Sequence, residues 1–387
     1  MVFSPRLAAA LALAYASAAP FASAQDADAR ASVQYPVGLA HRTDVNFTEL
    51  FAAYGDGLGP QTAWTRAAWN GLTTFARAPP QRCFGVDAGQ PFDVAVIGAP
   101  FDTATSFRPG ARFGPNGIRK GSRRLGIDRF NVPAKVRITD HIDVVDCGDV
   151  PMVLTDNKVA LRQLELANAA LVQGTALRAP EGKSLAKDGK FHPRVLTLGG
   201  DHTITLPLLR GVAAVYGPHL DTWKPRPSKG GPWLPDEEIP VSHGSYFWYA
   251  FNEGLLAPNN SNILGDYEDD YAFGWVISHA WDAEDIGWQG IVKKIKDTVG
   301  DNPVYISLDI DVLDPAMAPA TGTPEIGGFT TREIKKILHA LEGLKIVGAD
   351  IVEVAPDYDS QDEITSIAAA NIGWDILGLM AKTPLVE

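Results

Sequence analysis

The chain has 387 residues, 45% of them hydrophobic and 21% charged, which is enough for the core of one large α/β domain or two ordinary ones. Its 46 Asp and Glu outweigh 34 Lys and Arg, giving a formal charge of -12, and no basic cluster stands out. That balance argues against nucleic acid as a partner, since phosphate binding needs grouped Lys and Arg, while it suits a small cationic substrate.

Residues 1–24 read as a secretory signal peptide. Arg6 supplies a short positive segment, Leu7 to Ala19 an apolar one, and Ala22-Ser23-Ala24 a small-residue cleavage site before Gln25. An apolar segment of that length is too short to span a bilayer, and no other stretch reads as long and apolar enough, so the expectation is a secreted chain with no membrane partner. Sequons at Asn46 and Asn259 are compatible with export. Residues 25–90, irregular and broken by Pro79-Pro80, read as an extension packed on the main body, which occupies 91–387. The two cysteines, Cys83 and Cys147, could pair in an oxidising compartment; sequence alone leaves that open, and their spacing fits neither a CxxC motif nor a zinc finger.

Organised alternation starts at the apolar run Asp93 to Gly98, as expected for a buried parallel strand. There follow a helix over Pro115 to Arg124, a strand over Ile142 to Val145, a long helix over Asn157 to Ala176, and a strand over Arg194 to Leu198 closed by Gly199-Gly200. Thr205 to Tyr216 fits a helix. Later elements are the strand Val304 to Leu308, the helix Thr331 to Leu341, the strand Ile346 to Val354, and a last helix from about Asp362 to Met380. Strands alternating with helices predict a three-layer αβα fold around a mostly parallel central sheet, with ligands bound at the carboxyl ends of the strands. The Pro/Gly-rich stretch from Lys224 to Pro240 is long enough to read as a functional surface loop.

Three places carry ligand-type side chains. Gly199-Gly200-Asp201-His202 ends one strand, and its glycines let the backbone turn so that His202 faces a cleft. His219 and Asp221 stand two apart, on one face of an extended chain. Asp309 and Asp311 repeat that spacing at the end of an apolar strand, where two carboxylates without a counter-charge would repel and be costly to bury. A cation resolves the conflict. Mixed imidazole and carboxylate donors suit Mn2+ better than structural zinc, and a pair of ions could hold a bridging hydroxide as nucleophile.

In their order along the chain these motifs resemble the ureohydrolase family of arginases and agmatinases. The resemblance runs through Gly98-Ala-Pro-Phe-Asp102, Phe107 to Pro115, Gly199 to His202, His219-Leu-Asp221-Thr-Trp223, Ser307 to Pro315, Ala320 to Pro324 and Gly348 to Pro356. It implies an arginase-like fold, two Mn2+ ions, and His202, His219, Asp221, Asp309 and Asp311 as their ligands. It further implies that Glu353 holds the substrate guanidinium and that His243 carries a proton to the departing amine, a task suited to a group that titrates near neutrality. The wording of His219 to Trp223 resembles agmatinases more than arginases. The implied reaction is hydrolysis of agmatine to putrescine and urea, with guanidinobutyrate and arginine as next substrates and a homo-oligomer as the expected assembly.

The sequence also departs from the family pattern. Where the family has Asp-x-His-x-Asp, this chain has Gly217-Pro-His219, without the bridging carboxylate and without room for an apolar strand before it. A second shortening falls after Asn262. One or two sheet strands are therefore expected to be missing, leaving a gap or forcing Val212 to Tyr216 to extend. The alternative this opens is a catalytically impaired secreted protein that binds metal or guanidine on the same scaffold.

Overall fold

Alternation of side chains along each strand decides how the molecule layers. In a computed structural model of the chain, which describes residues 72–85, 88–217, 240–256, 262–263 and 276–386, Val94 and Val96 of strand β1 (Val94–Gly98) enter one core while Ala95 and Ile97 enter the other. Both faces of the strand are thus buried, as its continuous apolar run requires. With β2 (Val144–Asp149), β3 (Arg194–Leu198), β4 (Pro303–Asp309) and β5 (Lys345–Val352) it forms one all-parallel sheet in the order β2-β1-β3-β5-β4.

Helices cover both faces. α1 (Gly114–Gly121), α5 (Gly287–Val299), α6 (Thr331–Ala340) and α7 (Ile364–Lys382) bury Ile118, Ile291, Ile334 and Ile376 in the first core. α2 (Asn157–Val172) and α3 (Thr205–Tyr216) bury Leu164 and Leu208 in the second. The sequence sets several of the boundaries locally. Asp156 caps α2 by accepting the N–H of Val159, and Thr330 with Glu333 closes a reciprocal capping box on α6.

The αβα fold and the predicted elements are present, with shifted ends. β2 starts at Val144 and runs on through Asp146-Cys147-Gly148 to Asp149, because it lies at the sheet edge, where polar residues are tolerated. α2 stops at Val172, before the predicted Ala176. The sequence reading did not anticipate α4 (Tyr246–Asn252), α5, or the two-residue hairpin of Phe130–Asn131 with Val136–Arg137. One expectation is corrected: α7 is long and apolar enough by composition to cross a membrane, but it is the mostly buried core helix.

Cys83 and Cys147 are joined by a disulfide with Cα atoms 5.5 Å apart, which ties residues 80–84 to β2. Beside it, Phe75 and Ala76 are fully buried, and the Phe75 N–H donates to Asp146 Oδ2 at 2.7 Å.

The expected gap takes a definite form. α3 remains helical to Tyr216 and the chain leaves through Gly217 at φ 98°, so Val212 to Tyr216 does not extend. Among the described residues the outer edge of β4 has no strand partner, and a cavity of about 320 Å³ runs along it between Val212, Tyr216, Tyr305, Ile306, Ile337 and Leu338. Asn262–Ile263 pairs with Val276–Ile277 in a separate two-residue ladder. The predicted signal peptide, both sequons, nearly all of the predicted loop 224–240, and His219 with Asp221 lie outside the described residues.

Candidate active site

Because the five strands are parallel, their carboxyl ends meet on one side, and three of them deliver the predicted side chains. β3 leads into His202, β4 ends on Asp309, and β5 is followed directly by Glu353. The pair Gly199-Gly200 works differently from the sequence expectation. Neither residue adopts a positive φ; instead a Cβ on Gly200 would stand 1.9 Å from Phe101 O, and one on Gly199 2.8 Å from Ile351 O. They are glycines because two other backbone segments pass against them, which brings His202 up to its neighbours.

Glu353 organises the site. It is 1% exposed and sits in the left-handed region at φ 62°, a conformation that costs a non-glycine residue about 1–3 kcal/mol and is held by its surroundings. Its N–H donates to Gly200 O at 2.8 Å. Its Oε1 accepts the His202 N–H at 2.8 Å and lies 3.2 Å from His243 Nδ1. Oε2 is buried and has no hydrogen-bond partner among the described residues. An orphan carboxylate oxygen in a cleft is a receptor for a planar N–H donor such as a guanidinium.

His243 is fixed at both ring nitrogens. The Ser106 N–H donates to Nε2 at 3.0 Å, so Nε2 bears the lone pair and Nδ1–H faces Glu353. The hydrogen bond to Glu353 raises the imidazole above its ordinary value despite partial burial. Burial has the opposite result on His202, whose proton affinity falls. His202 Nδ1 lies 2.9 Å from Asp309 Oδ2.

Asp309 and Asp311 do come together, although not as two residues of one strand face. β4 ends at Asp309, and Asp311 sits in the following turn, with its N–H donating to Asp309 Oδ1 at 3.0 Å and its Oδ2 accepting from Thr323 Oγ1 at 3.1 Å. Burial first, and then neighbouring carboxylates, push both groups well above the usual carboxylate range. Asp201, fully buried beside Glu353, is pushed up to about 7 by burial and that neighbour. It positions the adjoining loop by accepting the Ala104 N–H at 3.1 Å.

The sequence pattern of the Arginase family matches residues 92–378. The chain belongs to the Arginase family.

Individual members of that family are similar to it over most of its length. It is 47% identical over 341 residues to a Schizosaccharomyces pombe protein provisionally named agmatinase 1, covering 83% of this chain and 85% of that one. It is 40% identical over 291 residues to the agmatinase of Serratia proteamaculans, covering 74% and 87%. Among solved structures, the proclavaminate amidino hydrolase from Streptomyces clavuligerus superposes with a TM-score of 0.68 at 33% identity, over 82% of this chain and 99% of that one. A formiminoglutamase from Trypanosoma cruzi, solved with Mn2+, shares the fold at a TM-score of 0.58 and 18% identity, over 76% of this chain and 94% of that one.

Arginase-family members use a binuclear Mn2+ centre. The described residues fit a part of one: His202, Asp309 and Asp311 are the imidazole and carboxylate donors a hard divalent ion takes, and the two partly buried carboxylates have their ionised forms disfavoured where no cation offsets them. Among the described residues no three His, Cys, Asp or Glu side chains converge closely enough to hold an ion, with His219 and Asp221 outside that set.

Sequence reasoning missed the groups behind these ligands. Ser106, Thr205, Tyr246, Tyr305, Ser307 and Asp350 all hydrogen-bond within the cluster. Ser307 and Asp350 lay inside quoted motifs, but their partners come from other strands and helices, so spacing along the chain carries no signal for them.

Proposed function

We propose that this protein is an agmatinase, hydrolysing agmatine to putrescine and urea with bound Mn2+. The single observation that carries the reading is the unpartnered Oε2 of Glu353, held next to His243 and within one hydrogen bond of His202. The curated relatives named as agmatinases support agmatine as the substrate. Nothing in the comparisons favours the noncatalytic alternative.

In this reading Glu353 Oε2 accepts the substrate's guanidinium N–H groups and orients its carbon toward His202 and Asp309. When bound, Mn2+ supplies a nucleophile at neutral pH by lowering the pKa of water. Glu353 raises the pKa of His243 and so favours its imidazolium. In that protonated form His243 can give one proton to the departing amine and return to the neutral ring, whose remaining proton stays on Nδ1 against Glu353. Glu353 is itself almost wholly shielded from water, with fully buried Asp201 beside it.

A secreted, homo-oligomeric enzyme acting on a small guanidino cation is the accompanying proposal. The amino-terminal signal pattern and the Cys83–Cys147 disulfide, a bond that persists in oxidising compartments, support secretion. The test is urea release from agmatine, arginine and 4-guanidinobutyrate by the purified chain with added Mn2+, beside Asp309→Ala. Turnover fastest with agmatine and abolished in the variant is the expected result. Absence of urea from all three substrates would overturn the reading.

A further inference from the structure

Behind His202, on the side away from Asp309, lies a second buried carboxylate that the proposed chemistry does not use. Asp350 stands in β5 directly opposite Ser307 of β4 and is fully buried. Three hydroxyls converge on it: Ser307 Oγ at 2.5 Å, Tyr305 OH at 2.8 Å and Thr205 Oγ1 at 2.9 Å. Burial raises the Asp350 pKa while the three hydroxyl bonds work against that rise. As a carboxylate it only accepts, and each hydroxyl then turns its proton toward it.

That fixes the next link. Ser307 Oγ lies 2.8 Å from His202 Nε2, and with its own proton committed to Asp350 it can only accept from the ring. Tyr246 OH, 2.7 Å from the same nitrogen, shares that N–H. His202 is therefore the Nε2–H tautomer, and its Nδ1 lone pair is the one facing Asp309 Oδ2 at 2.9 Å. Two lone-pair groups at that distance repel unless a proton or a cation stands between them.

We propose that Asp350 is a positioning residue for the metal site: acting through Ser307, it locks His202 in the tautomer whose Nδ1 can ligate a divalent cation beside Asp309. A ligating imidazole is generally oriented by whatever its other nitrogen donates to, and here that acceptor is a serine polarised by a carboxylate. Four residues on β4, β5 and α3 thus set the direction of one ring. The Tyr246 ring lies tilted against that ring, with centroids 4.5 Å apart. The inference rests on the reading of His202 as a metal ligand, and its first readout is independent of metal.

The experiment uses the whole chain in the metal-free state, with histidine 15N shifts recorded by NMR and the His202 signals assigned by their loss in His202→Gln. The expected result is Nε2–H for His202 in the native chain. In Asp350→Asn, where the amide can donate to Ser307 and reverse the relay, the Nδ1–H tautomer should gain population. Ser307→Ala should mix the two tautomers, and Ser307→Thr, which restores a hydroxyl, should return the native pattern. Mn2+ titration followed by EPR of the free ion should show affinity lower by about 10–100-fold in Asp350→Asn and Ser307→Ala. An Nδ1–H native state overturns the proposal, and so does an affinity loss with an unchanged tautomer, which would mean that Asp350 acts through packing alone. Absence of Mn2+ binding in every form would sink the functional reading, while the metal-free tautomer would still decide the role of Asp350.

Discussion

Glu353 Oε1 receives the His202 backbone N–H at 2.8 Å and the His243 ring at 3.2 Å, so one oxygen joins the predicted metal ligand to the predicted proton carrier and leaves the other oxygen free. Glu353→Gln keeps the shape, removes the charge, and can turn an NH2 group toward the substrate guanidinium. Truncating one partner of a buried charge pair costs about 2–5 kcal/mol, so kcat/KM should fall at least about 30-fold. The same change should release His243 to a lower pKa, because the hydrogen bond to Glu353 is the main cause of its raised value. A raised histidine contributes stability in full below its unfolded pKa and loses it as pH rises through its folded pKa. The stability gap between native chain and Glu353→Gln should therefore be wider at pH 5 than at pH 9, with the His243 limb of the pH–rate profile moved to lower pH. A variant whose limb does not move would show that His243 is set by something other than Glu353.

A second charged cluster lies between α6 and α7. Asp375 is fully buried, with Lys335 Nζ at 2.5 Å and His339 Nε2 at 3.1 Å, and Asn131 Nδ2 donates to it at 3.1 Å. Burial works to raise its pKa, but the His339 and Lys335 contacts overcome that and hold it below the usual aspartate range. A depressed carboxylate stabilises above its unfolded pKa, and that contribution is lost as pH falls through the folded pKa. Asp375→Asn should lower stability by about 3–5 kcal/mol at pH 7 in denaturant titrations, since it leaves Lys335 without its buried partner. The difference should begin to shrink as pH falls below about 4, where the unfolded aspartate takes up its proton, and go on shrinking toward the lower folded pKa. An equal difference at pH 7 and pH 3 would refute the assignment.

The disulfide closes a 64-residue separation between the segment before β1 and the edge strand β2. Loops of that size give a cross-link about 2–4 kcal/mol of stability. Double replacement Cys83→Ala with Cys147→Ala should lower the denaturant midpoint accordingly, and reducing agent should affect the native chain but not the double variant. Equal midpoints would mean that residues 74–84 hold to the sheet without the bond.

How much of this was legible depended on whether the signal was local. β1 could be read because a strand buried on both faces is a continuous apolar run. α6 carries a local mark as well, in the capping box of Thr330 with Glu333, which the structure brought out. α5 begins on Gly287 with no side-chain cap, so its start carried no local mark. Of the seven site residues, His202, His219, Asp221, Asp309 and Asp311 were marked by residue type and spacing, and Glu353 and His243 by motif resemblance. The structure gathers five of them, while His219 and Asp221 lie outside the described residues. Asp350 was invisible as a site residue because its meaning is the strand register that sets it opposite Ser307, a tertiary fact no spacing encodes.

Asp309 and Asp311 make metal dependence measurable without turnover. Each is partly buried, and its ionised form is disfavoured by burial and by repulsion from neighbouring carboxylates, Glu353 among them. An ion bound there relieves that repulsion and stabilises only the folded chain. At a free Mn2+ concentration 100 times its Kd the gain is about 2.7 kcal/mol, which should raise the melting temperature by several degrees, and EDTA should reverse it. Asp309→Asn separates repulsion from ligation. Removing one of two opposed charges should raise the melting temperature of the metal-free chain, while the rise on adding Mn2+ should largely disappear. If Asp309→Asn instead destabilised the metal-free chain and kept its response to Mn2+, the two carboxylates would be serving the fold, and the ion would have to be held elsewhere.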